Sequence, residues 1–161
     1  LKGDVFSQTD VARAVRGQDA VVIVLGDGGK GRVRARGTAN VIAAMKETGV
    51  TRLVCQSTLG AGDSAGNLNF FWKYIMFGLF LRRAYRDHQN QENLVKHSGL
   101  EWTIIRPAAF TDGPETARFR IGFGSDAKGL TLKISRADVA RFILATLTDR
   151  QWIGKTPGLS Y

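Results

Sequence analysis

A chain of 161 residues with 43% hydrophobic and 23% charged residues can bury a core of its own, and its balance leaves no tract for intrinsic disorder. A lone cysteine, Cys55, excludes an internal disulfide and fits a reducing compartment, where it reads as a small inert core residue. The net charge of +9 raises nucleic acid as a partner, but the basic residues are scattered (Arg32, Arg34 and Arg36; Arg82, Arg83 and Arg86; Lys128 and Lys133). No nucleic-acid motif accompanies them, so they read as a solvated surface that draws in anionic ligands.

The first residues, Leu1-Lys2-Gly3-Asp4, carry no secretory signature and no initiator Met, so a cytoplasmic protein whose gene begins upstream is expected. Gly3-Asp4-Val5 reads as the end of a strand. Ser7-Gln8-Thr9-Asp10 reads as a helix start with a hydroxyl cap, Val11, Ala14 and Val15 form its apolar stripe, and Gly17 stops it. Residues 19–25 are a continuous apolar run, as a strand covered on both faces requires. A glycine-rich loop and a helix over 33–48 follow, with Val41, Ile42 and Met45 inward and Gly49 at its end. Residues 52–56 are a second buried strand, so the helix between is a right-handed parallel crossover. A small-residue loop spans 57–68, a long helix runs to about 97, and Gly99 closes it. Residues 102–105 form the third strand, cut by Arg106-Pro107 because proline cannot continue a central ladder. Short strands are expected at 118–123 and 130–134, around a turn at 126–129. Ser135 caps a last helix carrying Val139, Phe142, Ile143 and Leu147. No repeat or linker interrupts the order, so residues 1–161 read as a single domain.

Gly26-Asp27-Gly28-Gly29-Lys30-Gly31 matches G-x-G-x-x-G between a strand and a helix, a pattern that lets backbone approach a pyrophosphate. The second strand, however, ends Gln56-Ser57 where an acid should grip the adenosine ribose. A helix and a strand end also precede this unit. The loop therefore reads as lying at a later strand end, lining the crevice and not forming the primary phosphate turn.

Several segments together resemble the atypical short-chain dehydrogenase/reductases, in the branch of NmrA-like proteins and biliverdin reductase B (flavin reductase). They are Gly3-Asp4-Val5, residues 14–22, Leu25-Gly26, residues 56–64, Asp87-His88-Gln89-Asn90-Gln91-Glu92, residues 98–107 and residues 135–140. The ordered series carries the resemblance, not any one segment. It implies an α/β, Rossmann-like parallel sheet with helices on both faces, lacking an N-terminal β-α-β segment of roughly fifty residues that carries the glycine-rich turn. It implies NADP or NAD as cofactor, with Asp4 and Val5 along the adenine and Leu25 and Gly26 near the nicotinamide-side ribose. Gln56 and Ser57 would meet the cofactor at the end of the second strand, and Pro107, Ala108, Ala109 and Phe110 would wall the nicotinamide.

By the same resemblance Thr58 takes the position of the catalytic serine, with Ser57 beside it; loop capping is the plainer role for both hydroxyls. A Tyr-x-x-x-Lys pair is absent, since Tyr85 is followed by Gln89 and Tyr74 by Gly78. His88 can supply a proton, imidazole titrating near neutrality, or can be an ordinary helix-pairing residue. His97 reads as a helix C-terminal residue. Residues 70–81 are the most aromatic stretch, too short to span a bilayer. Phe70, Phe71, Tyr74, Ile75 and Leu81 share one face at helical spacing and read as core. Trp72, Phe77 and Phe80 remain to lid a flat acceptor, make a dimer contact or touch a membrane surface. Two histidines and one cysteine offer no metal spacing, and Lys30-Gly31 is no P-loop. The reading is an NAD(P)H-dependent oxidoreductase for a flat conjugated small molecule (flavin, quinone or tetrapyrrole), monomeric or homodimeric, with neither nucleic acid nor stable membrane insertion. A non-catalytic NADP(H)-sensing regulatory or scaffolding protein is the alternative.

Overall fold

The computed structural model describes residues 2–161 and arranges its strands by which hydrophobic runs can be covered from both sides. Helix α1 (Gln8–Val15) begins where Ser7 Oγ accepts the Asp10 N–H at 3.3 Å. Strand β1 (Ala20–Ile23), helix α2 (Arg34–Thr48), strand β2 (Arg52–Gln56), helix α3 (Arg82–Lys96) and strand β3 (Glu101–Pro107) follow. The three strands pair in parallel, Val22 beside Val54 and Val54 beside Thr103. Alternation along β2 and β3 sends Leu53, Cys55 and Ile104 to Val41, Ile42 and Met45 of α2 and Val95 of α3. Val54 and Ile105 go to the opposite side, where helix α4 (Arg136–Thr148) meets them with Val139, Phe142 and Ile143. Helices cover both faces of a largely parallel sheet: the expected Rossmann-like architecture is present.

Several local expectations are corrected. Residues 3–5 form no strand; Asp4 instead turns the chain, its Oδ1 accepting the Phe6 N–H at 2.9 Å. Ala12, not Ala14, packs on α1's inner side. Strand β1 is not covered on both faces: Val22 and Val24 are exposed, because the α4 cluster takes in no β1 residue. Strand β3 does not stop before Arg106-Pro107. In a parallel ladder the Pro107 N faces β2, which has already ended at Gln56, so the missing donor forfeits no ladder bond. The strands expected around 126–129 do not pair together: β5 (Arg120–Ile121) runs antiparallel to β7 (Gly158–Ser160), and β6 (Lys133–Ser135) pairs with β4 (Ala109–Thr111). The sheet order is β1-β2-β3-β7-β5.

The long helix is broken. A wide helix with i to i+5 hydrogen bonds occupies Phe71–Phe80, and α3 begins afresh at Arg82. The wider turn re-sorts the faces: Trp72, Met76 and Phe77 turn inward, while Phe70, Phe71, Tyr74 and Ile75 are exposed instead of forming core.

The end of β3 is fixed by a buried ion pair. Arg106, 1% exposed, donates Nε to Glu92 Oε1 at 2.9 Å and Nη2 to Glu92 Oε2 at 2.6 Å. The guanidinium holds the Glu92 carboxyl below the ordinary carboxylate range against the opposing effect of burial. Arg106 Nη1 also reaches Asp63 at 2.6 Å, but the Asp63 side chain is 82% exposed and its contact is screened by water. Glu92→Gln is therefore expected to cost about 3 kcal/mol in chemical denaturation, by leaving a buried guanidinium uncompensated, whereas Asp63→Asn costs about 1 kcal/mol or less.

Candidate functional site

The C-terminal ends of β1, β2 and β3 lie side by side at one edge of the sheet, the edge at which α/β folds place their ligands. Beyond β2 the chain stays beside β3: the Ser57 N–H donates to Ile105 O and the Leu59 N–H to Pro107 O, each at 2.8 Å. Ser57 and Pro107 thus lie at the same end of neighbouring strands, and Ser57 is buried on the α3 side. Its Oγ lies 3.4 Å from His88 Nδ1, on the face of α3 that also carries Glu92 one turn on. Thr58 is half-buried and its Oγ1 donates to Leu59 O at 3.3 Å. Thr58 lines a cavity of about 40 Å³ with Trp72, Phe77, Ala108 and Ala109.

Val5 and Leu25 meet at Gly37 of α2, where an added Cβ would lie 2.7 Å from Leu25 and 2.9 Å from Val5. Val5 O also accepts from Asn40 Nδ2 at 2.9 Å. Gly26 lies against the Arg34 guanidinium, whose charge also bears on His88 of α3. Gln56 is half-buried at the last β2–β3 pair. Two expected residues stand apart. Asp4 is exposed and spent on its own turn, and Phe110, 40% exposed, lies beneath the Arg136 guanidinium at 5.2 Å, outside the Thr58 cavity.

The C-terminal half of the glycine loop is already occupied by carboxylates. Asp27 accepts the Gly31 and Arg32 N–H groups at 3.2 and 2.9 Å, and Asp87 accepts those of Arg34 and Ala35 at 3.0 Å each. Two carboxylates therefore hold the positions an anion would seek at this loop and at the start of α2. Gly31, at φ +62°, is needed because a Cβ there would fall 2.4 Å from the Arg83 carbonyl oxygen. Arg34, Asp87, Glu92 and Arg106 escaped the sequence reading. Asp87 and Glu92 stood in a recognisable segment, but their partners lie across the fold.

Tyr85 is no acid for this crevice: its hydroxyl donates to Gly60 O at 3.0 Å, and burial raises its pKa further. Burial, with Arg34 adding to it, pushes His88 down from 6.5 to about 3. The imidazole is therefore neutral at neutral pH, not the ready proton donor its type suggests, and acts as a hydrogen-bond partner to Ser57. Its folded pKa lies below the unfolded one, so protonation favours unfolding. This contribution is complete above about pH 6.5 and drains away as the pH falls toward 3. The carboxylates with lowered pKa act only below about pH 4.5. The denaturation midpoint should therefore fall between about pH 6.5 and 4.5 in the parent, and His88→Gln should remove most of that slope.

Comparison with known proteins adds the family. The uncharacterized sugar epimerase YhfK of Bacillus subtilis is 30% identical over 151 residues, covering 89% of this chain and 64% of YhfK. The chain spans about three fifths of the length of the curated relatives it matches. Among solved structures, ChuY, an anaerobillin reductase from Escherichia coli O157:H7, superposes with a TM-score of 0.79 at 25% identity, over 98% of this chain and 72% of that one. A short-chain dehydrogenase/reductase from Veillonella parvula in complex with NADP shares the fold, with a TM-score of 0.80 at 16% identity over 100% of this chain and 71% of that one. The model of the NAD(P)H-binding family matches residues 1–150, across the strand ends just described, and the chain belongs to that family.

Proposed function

We propose that the crevice between Leu25, Ser57 and Pro107 holds the nicotinamide end of NAD(P)H and that the protein reduces a flat conjugated acceptor such as a flavin or quinone. The single observation that carries this reading is the Thr58 cavity, which joins a hydroxyl at a strand end to an aromatic wall, Trp72 and Phe77. Bound NAD(P)H supplies a hydride, and the protein's share is alignment and exclusion of water. Pro107, Ala108 and Leu25 give apolar walls suited to a nicotinamide, while Ser57, fixed by neutral His88, and Thr58 offer hydroxyls for its polar edge or the acceptor's. An acceptor whose reduced form takes protons from water suits a site whose histidine stays neutral and whose nearby phenol, Tyr85, is committed to Gly60.

A cavity of about 40 Å³ has room for about one water, so an acceptor must displace the wide helix Phe71–Phe80. That helix buries no side chain fully, which makes it a low-cost lid. At the glycine loop and the start of α2, the N–H groups of Gly31, Arg32, Arg34 and Ala35 already serve Asp27 and Asp87, which disfavours a pyrophosphate there. We place it instead at the open edge of β1, where a cleft of about 380 Å³ lies between α1 and the strand. Calorimetry would then give weak dinucleotide affinity for the 161-residue chain and much tighter binding for an upstream-extended one. Equal affinity would return the phosphate to the glycine loop.

Steady-state NADPH and NADH oxidation by the full-length protein should be stimulated by flavin mononucleotide or soluble quinones. Thr58→Val should lower kcat/KM by roughly tenfold to a hundredfold, as expected for a positioned hydrogen bond. Cofactor binding without turnover of any acceptor would overturn the reductase reading in favour of a cofactor-sensing scaffold.

A further inference from the structure

The wide helix leaves an aromatic face that the reductase reading does not use. With hydrogen bonds from i to i+5, as from the Leu81 N–H to Met76 O at 2.6 Å, residues four and five apart stack along its length. Phe70 and Phe71, then Tyr74 and Ile75, then Leu79 and Phe80 therefore share the outward side. Phe70, Leu79 and Phe80 are 71%, 70% and 69% exposed, an unusual concentration of large apolar surface in one short segment.

This face runs directly into a basic cleft. Leu81 packs over Gly29, and beyond it Lys30, Arg32, Arg82, Arg83 and Arg86 border a hollow of about 590 Å³. Among the described residues none of these five cations forms a salt bridge. The one carboxylate in the hollow, Asp87, is turned to the Arg34 and Ala35 N–H groups. Arg82 and Arg83 also open α3 without an acidic residue in its first turn, an arrangement the helix dipole opposes unless an anion lies nearby. From Ser64 to Arg86 the sequence contains no acid, while Lys73 adds a further cation within the aromatic segment.

We propose that this combined face docks the protein on an anionic bilayer surface, the outward aromatic and aliphatic side chains entering the interface and the cleft's cations meeting lipid headgroups. Charge complementarity selects this occupant. A two-fold contact with a second copy would set each cation-rich rim against its own image. A nucleic-acid strand would use the cations but leave Ile75 and Leu79 with no partner, whereas an interfacial helix uses both kinds of residue. The docking is peripheral, since no helix among the described residues is long and apolar enough to cross a membrane. The proposal does not depend on the reductase reading.

Vesicle flotation of the full-length protein tests it, with phosphatidylcholine vesicles with and without phosphatidylserine. Binding should appear only with phosphatidylserine and weaken as salt is raised. Arg82→Gln with Arg83→Gln should weaken it roughly tenfold or more. Leu79→Ser with Phe80→Ser should also weaken it, at an unchanged thermal midpoint. No binding to phosphatidylserine vesicles, or equal binding to phosphatidylcholine alone, overturns the proposal. Binding untouched by the Leu79 and Phe80 changes, and matched by a DNA duplex, also overturns it and leaves a general polyanion surface. A concentration-dependent dimer in sedimentation that those same changes dissolve, without lipid binding, overturns it in favour of self-association.

Discussion

The ion pair between Arg106 and Glu92 fixes where α3 lies on the sheet, and the crevice follows from that. Two hydrogen bonds of 2.9 and 2.6 Å join the last residues of β3 to the middle of a helix that otherwise touches the sheet through few large side chains. Glu92 sits one turn beyond His88, so holding Glu92 over Arg106 sets His88 over Ser57. The next residue after Arg106 is Pro107, whose carbonyl is held by Leu59, and the following alanines line the Thr58 cavity. A buried pair of this kind gains little over an apolar pair in net stability, but its geometry is specific. Here the specificity places a hydroxyl and an imidazole together on the α3 side of the sheet.

Carboxylates play a second part at the glycine loop. G-x-G-x-x-G is built so that backbone N–H groups can gather round an anion, and in this chain the anions are side chains. Asp27 closes the loop on itself, and Asp87 reaches across from α3 to cap α2, which has no capping side chain of its own at Val33. The motif thus serves to join two helices and a strand end. A carboxylate in contact with two N–H groups stabilises a helix start much as a bound phosphate does, and sequence pattern alone does not distinguish the two uses.

The parallel strands were legible because β2 and β3 are apolar on both faces, and the helix starts because Ser7 and Ser135 stand three residues before an acid. Elements defined by distant partners were not legible. Strand β7 exists because Gly158 and Leu159 find the edge of β3, and nothing within residues 158–160 marks them as a strand. Proline at 107 misled because its cost depends on whether the neighbouring strand is still present. The aromatic segment misled because a face assigned at α-helical spacing turns to the other side when the helix widens. At the site, hydroxyls at 57 and 58 could be placed from the strand that precedes them. The protonation of His88 could not, since it depends on burial and on Arg34, fifty-four positions away.

Hydrogen–deuterium exchange of the full-length protein with and without NADPH tests most directly whether the strand-end crevice, and not the glycine loop, receives the nicotinamide. The account predicts new protection in peptides covering residues 57–59 and 106–109, with Gly31 and Arg32 unchanged because their N–H groups are already bonded to Asp27. Protection confined to residues 27–35, with none at Ser57 or Pro107, would contradict it.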